Sequence, residues 1–547
     1  MNFMKNIFII IIISLLTAVA CDINDDFMER YPLDKISDAN YWKTASDIEM
    51  FANQFYTKLY DFRLAWYNID NFGDNQVPRT QNSYTWDNYT VPSSGGGWAK
   101  SDWADIRSCN FALVRIANMT KTPAVLAMEG EIRFFKAFFY FQKVKRYGDV
   151  PWLESDLSTD SEELYKARDP RTTVIDKVVS DLDFAIDNLP ETSGADRLTK
   201  YAALALKSDV CLYEGTFRKY HNVAGGHEAM LRKSAEASEA IINSGMFDIW
   251  STGDPTWDYF DLFVQYELKG NPEGIMVQRY IANKRMHNNT RQSGEAYTGY
   301  SKDYINSYLC TDGLPIALSP LYQGDAEWGD EIINRDPRLK QSIYTSDRPY
   351  RIYEDGSTAY KELPEFINYC PTSYWITKAY SPYERDRLPS VSIIDDFIFR
   401  YAVVLLNYAE AKAELGECTQ DVLDMTINKI RDRVAMAHLT VDVGFTDPNW
   451  PNWEVAVSPL INEIRRERRI ETCAEGSRWD DIVRWKAGKL LENPLTVLGA
   501  RDPSTGEYKV IYPGYGNRVW NDKMYLYPLP REELTMNPNL EQNPGWD

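Results

Sequence analysis

Two separated stretches repeat one pattern, and that repeat constrains the fold more than any other feature of the chain. Tyr201 to Thr216 reads YAALALKSDVCLYEGT, and Arg400 to Glu417 reads RYAVVLLNYAEAKAELGE; both place alanines and large aliphatic residues on one helical face. Each leads into a second helical pattern, Ala229 to Met246 after the first and one carrying Ile427, Ile430 and Val434 after the second. Ala202, Ala205, Ala237 and Ala240 are small enough to let paired helices approach closely, with Leu212 and Ile241 filling between them. Such a pair cannot bury its apolar face alone, so it stacks on further pairs. The expected fold class is therefore mainly α, a tetratricopeptide-like helix-pair superhelix, discontinuous in sequence, over about 40–246 and 395–490. Between the halves, from about 247 to 394, helical periodicity fades and Gly, Pro, Asn and Tyr become frequent, which predicts a variable, loop-rich lobe containing short strands. Residues 491–547 form a C-terminal tail expected to pack back on the helices.

Further helices are legible around the repeat. Ser46 and Glu49 read as a capping box, with Ile48, Phe51, Phe55 and Leu59 facing inward. In Glu131 to Pro151 a helix ends at Gly148, and its stripe of Phe134, Phe135, Phe138, Phe141 and Val144 has the spacing of a core face. Thr173 and Asp176 read as the cap of another helix that ends before Pro190. Ser458 to Trp485 is the most highly charged stretch. Ser458 suits an N-cap and Pro459 the first helical position, while Glu463, Arg465, Arg466, Glu467, Arg468, Arg469 and Glu471 alternate in sign before a break at Gly476. So many arginines could form an anion site. The reading favoured by the interleaved carboxylates is a lattice of ion pairs clamping neighbouring helices.

Charge and composition exclude several functions. Eighty acidic against 60 basic residues give a formal charge of −20, which argues against a nucleic-acid partner. Four histidines, His221, His227, His287 and His438, leave little for zinc sites or histidine triads, and neither a Gly-x-Ser-x-Gly nor a His-Glu-x-x-His motif is present. No enzyme activity, metal or cofactor is expected. Cys109, Cys211, Cys310, Cys370, Cys418 and Cys473 are scattered and read mostly as buried thiols, with a single bridge still compatible. At the N-terminus, Lys5 and the apolar run Ile7 to Leu16 precede Ala18-Val19-Ala20-Cys21; the run is too short for a membrane span and reads as a signal peptide over 1–20.

Several of these motifs carry a resemblance. Glu467-Arg468, Glu471, Glu475-Gly476, Arg478 and Asp481 to Trp485, with the Gly-Asp-x-Pro turn at Gly148, the NRDPRL run from Asn334 and the closing LYPLPREELTMNPNLEQNPGW from Leu526, resemble the SusD/RagB family of surface nutrient-binding lipoproteins. Ala18 to Cys21 is similar to a lipobox in which Ala18 replaces the more usual leucine, and Asp22, Asp25 and Asp26 resemble a surface-export tag. The resemblance implies that Cys21 carries a lipid anchoring the chain to the outer membrane, facing the exterior. It also implies a SusC-like TonB-dependent transporter as partner and an oligosaccharide as ligand. The alternatives are an ordinary signal peptide with Cys21 unmodified, peptide capture in the manner of the RagB branch, and a lid or scaffold that binds no nutrient.

Family ligand sites lie in variable loops, so the candidates come from composition. Sugar recognition needs flat aromatic surfaces and short polar side chains. The loop from Asp74 to Trp98 supplies both, with Trp86 in a Tyr-Thr-Trp-Asp-Asn-Tyr run and Trp98 after Ser93-Ser94-Gly95-Gly96-Gly97. Asp74 resembles an acidic loop residue of the family. A second group is Tyr297, Tyr300, Tyr322 and Trp328, and a third is Tyr374 with Trp375. Each single ring is equally at home in a core.

Overall fold

The computed structural model describes residues 41–61, 67–193 and 196–546. Cys21, the leader before it and the acidic residues after it lie outside these.

The alanine-spaced segments are helices. The first half comprises α1 (Ala45–Asp61), α2 (Ala104–Ile116), α3 (Pro123–Tyr147), α4 (Arg171–Asn188), α5 (Lys200–Tyr220) and α6 (His227–Asn243). The lobe contributes the short α7 (Lys302–Ser307) and α8 (Pro337–Ser342), and the second half α9 (Tyr401–Glu414), α10 (Gln420–Met425), α11 (Ile427–Asp432), α12 (Pro459–Glu471) and α13 (Arg478–Arg484). α3 pairs with α4 and α5 with α6, and α9 packs on both α6 and α12, so the second half continues the stack begun by the first. Small residues set the spacing. A Cβ added to Gly215 of α5 would lie 2.9 Å from Leu231 Cγ of α6, and one on Gly130 of α3 would lie 3.4 Å from Ala185 Cα of α4.

Two helix starts differ from the sequence expectation. α1 begins earlier: the Asp47 carboxylate accepts from the N–H groups of Thr44 (2.7 Å) and Lys43 (3.2 Å), and the Thr44 hydroxyl accepts from Asp47 N–H (3.4 Å). Thr44 and Asp47 thus replace Ser46 and Glu49 as the capping pair, a start that lets Trp42 pack on Phe51 with centroids 5.1 Å apart. α4 begins at Arg171, whose N–H donates to the Asp149 carboxylate (2.7 Å), a cap supplied from another segment and so invisible in local spacing.

Short antiparallel ribbons link the lobe to other segments and also form in the tail: β1 (Gln76–Pro78), before the lobe, with β3 (Thr298–Tyr300); β2 (Gly274–Gln278) with β6 (Asp396–Arg400), just after it; β4 (Arg351–Ile352) with β5 (Thr358–Ala359) inside it; and β7 (Leu498–Asp502) with β8 (Glu507–Val510) in the tail. The tail docks on the helical half, where Asn543 accepts from Arg168 (2.8 Å) and Tyr527 N–H donates to Arg146 O (2.8 Å). The six described cysteines are free thiols.

α12 is capped as its sequence predicts, Ser458 Oγ accepting from Ile461 N–H at 3.2 Å with Pro459 at the first position. Its charges are nearly all interior. Glu471 accepts from Arg433 (2.5 Å), Arg400 (2.7 Å) and Arg338 (3.0 Å), and Glu467 from Arg338 (2.6 Å) and Arg431 (2.8 Å). Glu410 of α9 receives Arg468 (2.8 Å) and Arg484. Burial opposes ionisation of Glu410, yet the guanidiniums of Arg484 and Arg468 hold its carboxyl down at about 2. The lattice joins α8, α9, α11, α12, α13 and β6, and it pairs Arg338, Arg400, Arg431, Arg433, Arg468 and Arg484 without a ligand.

Candidate functional site

The loop after α1 is held by its buried rings. Tyr84 stacks on Tyr527 of the tail at 4.2 Å, and its hydroxyl donates to Met524 O (2.8 Å). This anchors a single 3₁₀ turn, Tyr84–Trp86, and leaves Trp86 half-buried at the surface, edge-on to Tyr512 (5.6 Å, 88°) and Tyr515 (6.0 Å, 74°). Tyr515 is 63% exposed. The Tyr512 hydroxyl donates to Pro78 O at the end of β1, which fixes these rings to the β1–β3 ribbon.

A second group of rings adjoins the same end of that ribbon. Pro78 pairs with Thr298, and the next residue, Arg79, donates its N–H to Tyr297 O (2.7 Å) while its guanidinium sits 4.6 Å from the Tyr297 ring. Tyr297 takes a left-handed backbone (φ 54°), a cost for a residue with a bulky side chain, and its ring stands 41% exposed beside Tyr369 (4.9 Å), itself 39% exposed. Two ring groups, Trp86 with Tyr515 and Tyr297 with Tyr369 and Arg79, therefore adjoin the same ribbon end at the Pro78–Thr298 pair, an area called the aromatic face below.

The other sequence candidates stand elsewhere. Trp98 is buried between Tyr147 (4.8 Å) and Trp103 (5.1 Å); the glycines before it bring backbone against α3, where Lys143 Nζ donates to Gly97 O (2.6 Å) and Tyr147 Oη to Gly96 O (2.5 Å). Asp74 is buried under Arg478 (2.7 Å) and Arg469 (3.2 Å); burial opposes its ionisation, but these two guanidiniums hold its carboxyl well below the usual range. Tyr300 and Tyr374 are fully buried, the latter donating to Glu331 (2.8 Å) beneath the half-buried Trp328 (5.1 Å). Tyr322 lies half-buried against Arg335, and Trp375 is buried under Lys361 (3.8 Å). The structure thus brings Trp86 and Tyr297 to one ribbon end and buries Trp98, Asp74, Tyr300, Tyr374 and Trp375 among packing or ion-pair partners.

A family model described as the SusD family matches residues 260–546, just over half of the chain. The chain belongs to the SusD family. A second model, described as starch-binding associating with outer membrane, matches residues 31–212. SusD-family proteins are non-catalytic binding proteins. SusD-like protein P2 of Formosa agariphila is 25% identical, with 99% of this chain and 100% of that protein aligned. A SusD-like protein of Bacteroides ovatus is 21% identical over 88% of this chain and 83% of its own length. Among solved structures, a SusD-like protein of Bacteroides fragilis is 25% identical with a TM-score of 0.73, covering 94% of this chain and all of that one. A SusD-like carbohydrate-binding protein of the same species (23%, TM-score 0.69, covering 92% and 100%) shares the fold, as does a structure with xylogluco-oligosaccharide (18%, TM-score 0.63, covering 90% and 97%). The mainly helical architecture expected from the repeat is the SusD fold.

Sequence reasoning missed Arg79, Tyr369, Tyr512 and Tyr515 of this SusD-family face. Tyr512-Pro513-Gly514-Tyr515 offered a signal, since a Pro-Gly turn between two tyrosines presents rings at a surface.

Proposed function

We propose that this protein captures oligosaccharides at the aromatic face and passes them to a SusC-like TonB-dependent transporter in the outer membrane, to which Cys21 tethers it by lipid. The observation that carries the reading is the gathering of exposed rings, Trp86, Tyr297, Tyr369 and Tyr515, around one ribbon end beside the exposed Arg79. Ring faces take the C–H surfaces of pyranose rings, and Arg79 supplies donors to hydroxyls. The half-exposed rings are already fixed by Tyr512, Pro78 and the ribbon, so little ordering is needed on binding. The names of relatives, a carbohydrate-binding protein and a structure with xylogluco-oligosaccharide, support the same ligand class.

The test is binding of the soluble protein beginning after Cys21 to a panel of neutral polysaccharides and to peptide mixtures, beside a Trp86→Ala, Tyr515→Ala variant. Glycan binding that weakens by at least about tenfold, some 1.4 kcal/mol, in the folded variant is the expected result. Binding of peptides alone would replace this reading with peptide capture, and no binding by the unaltered protein would make it a lid.

A further inference from the structure

The loop from Phe445 to Val457 and α12 border a cleft of about 910 Å³, and none of the aromatic-face residues lines it. Trp450 and Trp453 of the loop form part of its wall, with Asn306 of α7 and Lys489 opposite them along the lining. Its acids are engaged. Asp74 and Asp303 hold Arg469 (3.2 and 2.7 Å), Asp447 holds Arg466 (2.5 Å), Glu454 accepts from the Tyr525 hydroxyl (2.8 Å) and Glu492 from Trp520 N–H (2.8 Å).

Its donors are not all engaged. Arg465, only 2% exposed, reaches Glu414 through Nη2 (3.2 Å) and leaves Nε and Nη1 without a partner among the described residues. Glu414 is also taken by Lys219 (2.7 Å), so two cations share one carboxylate. The Arg465 guanidinium lies 4.6 Å from the Trp453 ring, a positive charge directly beneath one of the cleft's aromatic surfaces. Lys489 is exposed at the rim and makes no ion pair among the described residues. Among the described residues, this cleft combines a buried arginine that has unpartnered donors, an exposed lysine and two tryptophans with a volume that holds several sugar rings.

We infer that the cleft is a second saccharide site, taking an acidic oligosaccharide whose carboxylates meet Lys489 and whose rings lie on Trp450 and Trp453. Arg465 lies beneath Trp453 as a buried cation whose Nε and Nη1 make no hydrogen bond to any of the cleft's five carboxylates. The inference extends the glycan reading above, and its test separates the two sites.

The experiment is calorimetric titration of the soluble protein beginning after Cys21 with tetra-galacturonate and with a neutral galactose tetramer. It compares the unaltered protein, Lys489→Glu, and the Trp86→Ala, Tyr515→Ala variant. Lys489 is exposed, so its variant folds, which a thermal melt checks. Tetra-galacturonate is expected to bind the unaltered protein, to bind Lys489→Glu about tenfold more weakly, to lose affinity as salt rises to about 0.5 M, and to bind the face variant unchanged. No binding of the acidic tetramer, or binding that is insensitive to Lys489→Glu, overturns the inference. Loss of acidic-tetramer binding in the face variant does so as well. Failure of neutral glycans to bind bears only on the aromatic face and leaves the acidic arm to be read by itself.

Discussion

α12 and the aromatic face are built from side chains that suggest ligand binding equally well, arginines in one and tryptophan and tyrosine in the other. They differ in who meets those side chains. The carboxylates of Glu467 and Glu471 on α12 are met by partners from distant segments, as Glu471 is by Arg338, Arg400 and Arg433. The rings of the face have few partners and stay part-exposed, as half-buried Trp86 does beside Tyr512 and Tyr515. A buried charge needs its full complement of partners to be tolerated, whereas a ring tolerates one open side and gains a ligand-binding surface by it. Residue type therefore does not separate scaffold from site. The number of segments converging on the side chain does.

The sharpest way to break this contrast is Glu471→Gln, which removes the carboxylate shared by three buried guanidiniums and leaves Arg338 to Asp336 and Glu467, Arg400 to Glu273 and Glu475, and Arg433 to Glu273. Urea unfolding is expected to register a loss of about 3–5 kcal/mol, while glycan affinity per folded molecule stays unchanged. Acid attacks the same lattice. Because the folded Glu410 carboxyl titrates at about 2 against an ordinary 4.5, the unfolded chain binds the proton more readily between these values. Its contribution to stability is fully present above pH 4.5 and fades as pH falls toward 2, and melting temperatures followed down this range should decline; a flat profile would break the account. Trp86→Ala with Tyr515→Ala inverts the pattern, with stability expected to change by less than about 1 kcal/mol in urea while binding suffers. The smallest effect is expected from Ser458→Ala. It removes only the cap at the exposed end of α12, and a loss of about 1 kcal/mol with no change in affinity would show how little of that helix's stability lies outside its ion pairs.

The scaffold was legible because its determinants are local and periodic. The alanine spacing of α5 and α9, the Ser458-Pro459 start of α12 and the Gly148 stop of α3 are all short-range patterns that the structure reproduces. Cap choice was less legible where two similar patterns overlap, as at Thr44 and Ser46, or where a remote group such as Asp149 provides the cap. The face was legible only at Trp86 and Tyr297. Composition marks a ring as available, but whether it stays available depends on neighbours brought from farther along the chain, as Tyr147 is to Trp98. Tyr512 and Tyr515 were hidden for the same reason, lying in a tail that reads by itself as a closing segment.

The hydrogen bond from Tyr512 to Pro78, together with the Tyr84–Tyr527 stack, sets an order of events for the growing chain. Early helices can fold as they emerge, in the usual N-terminal-first manner. The aromatic face cannot, because Trp86 waits for Tyr512 and Tyr515, which are synthesised last, and Tyr297 and Tyr369 arrive between them. A chain truncated before the tail would keep its early helices and leave the proposed face without two of its rings.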